Sequence, residues 1–208
     1  GIRCLCNEVT KEIGNEEEIN NNIQELVDTI DNSLKGYAIP LRSVGVQGDV
    51  RTYRHPAVIE GKASWNTLEK VSTKLTNSVP DINRVIYRLT EKRENQENEE
   101  NLETGMYITQ KRLDVLREAD NIAMEMLNEH DVNNKVWQMP TILVPWGADG
   151  KESIILRPVG SMEAMTAEFS KLDNVFVKKL AENIMATGLF SAVFFDVTNK
   201  PPGTIEWE

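Results

Sequence analysis

"INRVIYRL", residues 82–89, and "FSAVFFDV", residues 190–197, are two apolar runs of equal length, each closing a similar series of elements. Each run reads as a strand. Ahead of the first, Ile19, Ile23, Leu26, Val27, Ile30 and Leu34 recur at helical spacing, with Gly36 as the stop. "YAIPLRSVGVQGDVRTYRHPAVIEG" then reads as two strands about a Gly-Asp turn. "SWNTLEKVSTKLTNSVP" follows as a helix, with Ser64 in N-cap position and Leu68, Val71 and Leu75 on one face. Ahead of the second run the order repeats. "ITQKRLDVLREADNIAMEMLNEH" is an amphipathic helix using Leu113, Leu116, Ala123 and Leu127. "VWQMPTILVPWGADGKESIILRPVG" is again two strands about a turn, and "DNVFVKKLAENIMATG" is a helix capped near Asp173 or Asn174 and ended by Gly188. "GTIEWE" adds a last strand.

The chain therefore reads as an α+β protein made of two tandem copies of a small α-β-β-α-β(-β) domain. A duplicated sheet has an apolar face to cover, and the other copy is its nearest partner, so the two are expected to pack as an internal pseudo-dimer. The first domain is placed at residues 1–89 and the second at 106–208. Between them, "TEKRENQENEENLETG", residues 90–105, has almost no apolar side chains to offset its ordering entropy and reads as a flexible acidic linker.

The 208 residues are 40% hydrophobic and 27% charged, the balance of a soluble globular chain, and the net charge is −10. That sign disfavours broad binding to nucleic acid or an anionic membrane, yet a few local cations suffice for one small phosphorylated ligand. Cys4 and Cys6 have no second cysteine pair to complete a zinc site and read as reduced thiols suited to the cytoplasm. No run is long and apolar enough to span a membrane. The abrupt opening "GIRCLC" reads as a piece of something longer.

Catalytic motifs are missing: there is no G-x-S-x-G, no P-loop and no metal-ligand cluster. His55 and His130 each have a structural explanation, on a strand flank and at a helix end. Two stretches carry more chemistry than a core needs. In "RSVGVQGDVRTYR", Arg51 just past the turn is placed to clamp a phosphate or carboxylate, or to pair with a nearby acid. In "KPPGTIEWE", Lys200 is a cation beside a prolyl turn, and Glu206 can accept from adjacent N–H groups of a heterocycle. The alternative there is an edge strand packed through Trp207. The copies differ in a complementary way. The first has the arginine turn but runs into the linker, whereas the second has the tail but reads "WGADGKE" at the turn. One composite site between the copies would use both halves.

"RSVGVQGDVRTY", "INRVIY", "WQMPTILVP" and "KPPGTIEWE" resemble the C-terminal dimerisation region of glutamine-hydrolysing GMP synthase, in the eukaryotic arrangement with two tandem copies. The resemblance covers the chain apart from the linker. It implies a parent ligase that aminates XMP to GMP in purine biosynthesis, with ATP and magnesium used by a pyrophosphatase domain and ammonia supplied by a glutamine amidotransferase domain. Neither domain is within these residues, so the fragment is expected to bind no cofactor itself and to be inactive alone. The resemblance also implies site roles. Arg51 and Lys200 would contact the XMP 5′-phosphate, Gln138 would hold the nucleotide, and Ile205 and Glu206 would meet the xanthine. The missing arginine of the second copy implies one XMP site, with a homodimer or an internal pseudo-dimer as the assembly.

Overall fold

A computed structural model describes residues 3–6, 13–48, 50–92, 98–101, 107–130, 132, 135–160 and 166–207. Asp49 of the first turn, Glu208 of the tail, and residues 93–97 and 102–105 of the expected linker lie outside these. The first half contains α1 (Glu16–Asp28), β2 (Lys35–Ala38), β3 (Ser43–Gln47), β4 (Val50–Glu60), α2 (Trp65–Ser78) and β5 (Ile82–Arg88). The second contains α3 (Gln110–Glu129), β7 (Thr141–Val144), β8 (Trp146–Gly147), β9 (Ser153–Leu156), β10 (Val159–Gly160), β11 (Glu168–Phe169), α4 (Asn174–Ala186) and β12 (Val193–Asp196). Two short strands complete the set, β1 (Arg3–Leu5) and β6 (Glu100–Asn101).

Strands of both halves join one eight-stranded sheet in the order β1-β7-β9-β12-β5-β4-β2, with β3 paired to β4. Exchanging the halves maps the pairings onto one another. β2–β4 and β7–β9 are antiparallel, β4–β5 and β9–β12 are parallel, and β5–β12 is antiparallel at the centre. Tyr87 faces Phe195 at the midpoint, flanked by Ile86–Asp196 on one side and Arg88–Phe194 on the other. That register aligns "INRVIYRL" with "FSAVFFDV" residue for residue, so the two halves form the internal pseudo-dimer around this pair of strands.

Among the described residues, one face of the sheet carries the four helices. α1 buries Ile19, Ile23 and Val27, α2 buries Leu68, Val71 and Leu75, α3 buries Leu116, Ala123 and Leu127, and α4 buries Phe176, Leu180 and Ile184. They share one apolar cluster with Ala57, Ile59, Val85, Ile154, Leu156, Val193 and Phe195 of the strands. The alternate strand residues Val58, Ile86, Ile142, Ile155 and Phe194 form a second cluster on the other face, which Trp207 completes.

The caps are local and legible. The Ser64 Oγ accepts from the Thr67 N–H at 3.1 Å, and the Asp173 Oδ1 accepts from Val175 and Phe176. Gly188 closes α4 at φ 70°. Gly36 has a different role from the expected helix stop. α1 ends at Asp28, whereas Gly36 sits in β2 beneath that helix, where a Cβ would lie 2.8 Å from the Ile23 Cγ2. The missing side chain lets α1 settle on the strand.

His55 is buried, with its Nδ1 2.7 Å from the Leu41 carbonyl oxygen. Burial lowers its pKa below the ordinary imidazole value, with Arg42 acting in the same direction against Asp81. A lowered folded-state pKa means that the unfolded chain binds the proton first. His55 therefore contributes stability above the ordinary value of about 6.5, and this is lost as pH falls through the folded value. Urea midpoints measured from pH 7 to pH 5 are expected to fall in the native chain, with a shallower slope in His55→Gln.

The halves diverge at their hairpins. Residues 41–48 and 50–55 of the first belong to the long β3–β4 hairpin, where the second has only residues 146–152. The second half instead carries β10 paired antiparallel to β11 after its sheet strand.

Candidate functional site

The C-terminal segment leaves β12 and runs across the helix-free face to the hairpin of the other half. Asn199 to Gly203 form a turn closed by the Gly203 N–H on the Asn199 carbonyl at 3.0 Å, and both prolyl bonds within it are cis. Lys200 makes a two-way backbone bridge to Ala167 beside β11. The Pro202 carbonyl then accepts from the Val46 N–H at 2.7 Å, Gly203 bridges Gly45, and the Trp207 carbonyl accepts from the Val44 N–H at 3.0 Å. Thr204 to Glu206 leave ladder geometry, which is where the expected last strand breaks off.

The carbonyls that a strand partner would have taken go to two guanidinium groups. Arg84 Nη2 lies 3.0 Å from the Thr204 carbonyl oxygen, 2.8 Å from that of Glu206 and 3.0 Å from that of Val44. Arg157 Nε reaches the carbonyl oxygens of Thr204 and Ile205, each at 3.0 Å, and Nη1 reaches that of Thr198 at 2.9 Å. Between them lies Asp196. Its carboxylate takes Arg84 Nη1 and Arg157 Nη1 at 2.9 Å each, the Trp207 Nε1 at 3.0 Å and the Thr198 N–H at 2.9 Å. All three charged side chains are fully buried. Burial alone would push the Asp196 carboxyl up, but Arg157, Arg84 and the Thr198 bonds outweigh it and hold the carboxyl below its ordinary value. Burial and Arg157 lower the Arg84 pKa, yet a guanidinium keeps its charge at neutral pH. Gly203 lies directly over this cluster, with space for a Cβ only 3.2 Å from Arg84 Nη1 and 3.4 Å from Arg157 Nη2.

Sequence reasoning missed Arg84, Asp196 and Arg157. The signal was a charge inside each apolar run, in "INRVIYRL", "FFDV" and "SIILRPV". Such charges on a central strand survive only when paired.

The residues singled out by sequence lie on the tail and on segments of both halves near its path. β3 lies between the tail and β4, and Arg51 sits opposite Val46, whose N–H holds Pro202. Arg51 and Glu206 are exposed, while Lys200 and Ile205 are half-buried. Gln138 belongs to the second half. It bridges Val159, β10 pairs with β11, and Ala167 next to β11 bridges Lys200. The tail thus joins strands of the second half at Lys200 and the first-half hairpin that carries Arg51 at Pro202 and Gly203. Among the described residues no group of three or more His, Cys, Asp or Glu side chains is placed to hold a metal ion. An open groove lined by Arg3, Cys4, Leu5, Ile108, Leu113 and Leu116 lies at the β1 edge and includes none of the tail residues.

The pseudo-twofold relation has a counterpart of the tail. Arg157 and Asp196 correspond in register to Glu60 and Arg88, so the ion pair recurs with its charges interchanged, at 3.6 Å. Glu99 covers it, with Arg88 Nη1 at 2.8 and 2.9 Å from its carboxylate oxygens. The neighbouring strand β6 pairs with β8 of the second half. Each half therefore sends the segment after its last sheet strand to the hairpin of the other. The stretch expected to be a flexible linker is anchored at residues 98–101.

A duplicated α+β unit with a shared sheet and crossed C-terminal segments defines the architecture. The family model described as GMP synthase C terminal domain matches residues 24–95 and 125–207, one segment in each half. The chain belongs to this family. A probable glutamine-hydrolyzing GMP synthase of Leptospira interrogans is 41% identical over 177 residues, covering 84% of this chain and 29% of that protein. The glutamine-hydrolyzing GMP synthase of Streptomyces avermitilis is 42% identical over 111 residues, covering 49% of this chain and 21% of that protein. That of Thermotoga maritima is 38% identical over 111 residues, again 49% of this chain and 22% of that protein. The chain thus spans less than a third of the length of these relatives. The Leptospira match is longer than either half, so the likeness extends through both. Among the described residues no helix is long and apolar enough to cross a membrane.

Proposed function

We propose that this chain is the XMP-binding C-terminal region of a cytoplasmic, glutamine-hydrolysing GMP synthase, and that it completes the synthetase site of the parent polypeptide. The observation that carries this reading is the crossing of the tail onto the other half's hairpin. The tail that carries Lys200, Ile205 and Glu206 is bonded to β3, the partner strand of the Arg51 segment, and this supports a composite site between the copies. Arg51 and Lys200 supply two cations for a phosphate dianion. Glu206 supplies an exposed carboxylate to accept from the N–H edge of the xanthine. Gln138 holds the nucleotide from the second half, and Ile205 packs on the base.

The chemical contribution of the region is positioning. XMP held at both its phosphate and its base presents its 2-oxygen to the ATP α-phosphate in the pyrophosphatase domain, where magnesium and ATP are bound. Ammonia from the amidotransferase domain then displaces AMP. These residues act on XMP affinity and alignment, so the fragment alone is inactive. The long arginine hairpin has no counterpart in the second half, which supports one XMP site per chain. The shared sheet already pairs the two halves, and a homodimer would need a further surface.

In the full-length enzyme, Lys200→Ala and Glu206→Ala are each expected to raise the KM for XMP. A lost hydrogen bond to a charged group is worth about 1.5–3 kcal/mol, or on the order of 10- to 100-fold. The KM for ATP and glutamine hydrolysis should change little. If the double variant kept its XMP affinity, the site assignment would fall.

A second reading, an assembly module without ligand contacts, is favoured by the buried Trp207 and by the number of bonds spent on holding the tail. Hydrogen exchange separates the two. XMP-dependent protection of residues 198–207 in the full-length protein supports the first, and its absence at saturating XMP supports the second.

A further inference from the structure

We propose that Arg84 and Arg157 are positioning residues for nucleotide recognition, one from each half, acting on Ile205 and Glu206 through their backbone carbonyls. The proposal rests on the XMP reading above and adds residues to which that reading gives no role. The two side chains flanking the xanthine belong to a segment with no ladder partner, so their direction is set by whatever holds the backbone there. Among the described residues, the carbonyl oxygens of Thr204, Ile205 and Glu206 lie 2.8–3.0 Å from the two guanidiniums, and the Thr204 hydroxyl adds a second donor to that of Glu206. Both guanidiniums are locked by a single fully buried carboxylate, Asp196, so neither can shift without disturbing the other.

Three features distinguish this from a merely stabilising ion cluster. First, the planar fork of each arginine is shared between the carboxylate and the tail, a geometry that a lysine ammonium does not reproduce. Second, the Thr204 hydroxyl ties the parts together. It accepts from Arg84 Nη2 at 2.7 Å, and its single proton lies between the Val44 carbonyl at 3.0 Å and the Glu206 carbonyl, linking the cluster both to the hairpin that carries Arg51 and to the tail backbone. Third, the pseudo-equivalent pair Arg88–Glu60 is closed over by a side-chain carboxylate, that of Glu99, whereas Arg84 and Arg157 hold backbone carbonyls of the tail. The cluster under the tail is therefore specialised relative to its counterpart. The order of the two base-reading side chains depends on both halves at once.

Thr204→Val removes the hydroxyl at a half-buried position with little change in volume, and Thr204→Ser restores it. In the full-length enzyme, Thr204→Val is expected to raise the KM for XMP on the order of tenfold, as expected for loss of a hydrogen bond to a charged group. The KM for ATP and the kcat at saturating XMP should stay close to native, and Thr204→Ser should return the XMP value most of the way. Arg157→Lys should move the same parameter in the same direction and increase amide exchange at residues 204–206. If Arg157→Lys fails to fold, the Thr204 pair decides alone. A raised XMP KM in Glu206→Ala with a native value in Thr204→Val overturns the positioning role and leaves the XMP reading intact. Native values in both overturn the XMP reading itself. An equal fall in kcat for every substrate, unrescued by serine, marks a stabilising role only and also overturns the proposal.

Discussion

Asp196→Asn is expected to lower the stability of the fold by about 3–5 kcal/mol, the usual cost of removing one partner from a buried ion pair. The variant keeps the shape of the side chain but leaves two guanidiniums fully buried without a counter-charge. Four donors converge on the native carboxylate, and an amide offers one acceptor oxygen in place of two. Urea denaturation would show the loss as a lowered midpoint with an unchanged slope. The pH dependence gives a second readout. Because the folded-state pKa of Asp196 is depressed, its contribution is present above the ordinary carboxylate value of about 3.9 and lost as pH falls toward the folded value. Acid titration of the variant should lack that component.

A buried triad of this sort can often be replaced by apolar residues at little cost, because the desolvation of the charges is then avoided. The arrangement here argues against such tolerance. Arg157 Nη1 holds the carbonyl of Thr198, a residue with no exposed surface, and an apolar substitute would leave that acceptor buried and unpaired. The triad is thus both an ion cluster and the hydrogen-bonding partner of an irregular backbone.

Much of the fold could be read from local signals. The apolar faces of the helices, the Ser64 and Asp173 caps and the equivalence of residues 82–89 with 190–197 all depend on neighbours along the chain. The candidate residues Arg51, Lys200 and Glu206 were singled out from the same local signals, as polar chemistry beside turns. What sequence did not disclose depends on distant partners. Arg84 meets Asp196 across 112 positions, and although a charge within each apolar run calls for a partner, nothing nearby identifies which one. Gly36 looked like a helix stop because a glycine after an amphipathic run has that meaning locally. Its actual role follows from Ile23 lying across it. Glu99 sat within a polar run whose composition indicates solvation, and its side chain is buried by pairing with Arg88, which also meets Glu60.

Trp207→Ala should be the second severe change, and its neighbour Glu206 makes the informative control. Trp207 has no exposed surface and completes the cluster on the helix-free face with Ile39, Leu41, Val58, Ile86, Ile155 and Phe194. Its ring lies 5.0 Å from the Arg84 guanidinium carbon, and its Nε1 donates to Asp196. Truncation of a buried tryptophan to alanine costs about 3–5 kcal/mol through lost burial and the cavity left behind. Here it also removes a donor from the carboxylate and an aromatic face from the cation. The expected result is a large fall in the urea midpoint together with a raised KM for XMP, since the tail loses its anchor. Glu206→Ala, one residue earlier, alters an exposed side chain and leaves the carbonyl that Arg84 holds, so stability should stay within about 0.5 kcal/mol of native. If Glu206→Ala raises the XMP KM at native stability while Trp207→Ala lowers both stability and affinity, anchoring and recognition lie on adjacent residues. A Trp207→Ala protein with native affinity at temperatures where it stays folded would show that recognition does not depend on the anchored tail.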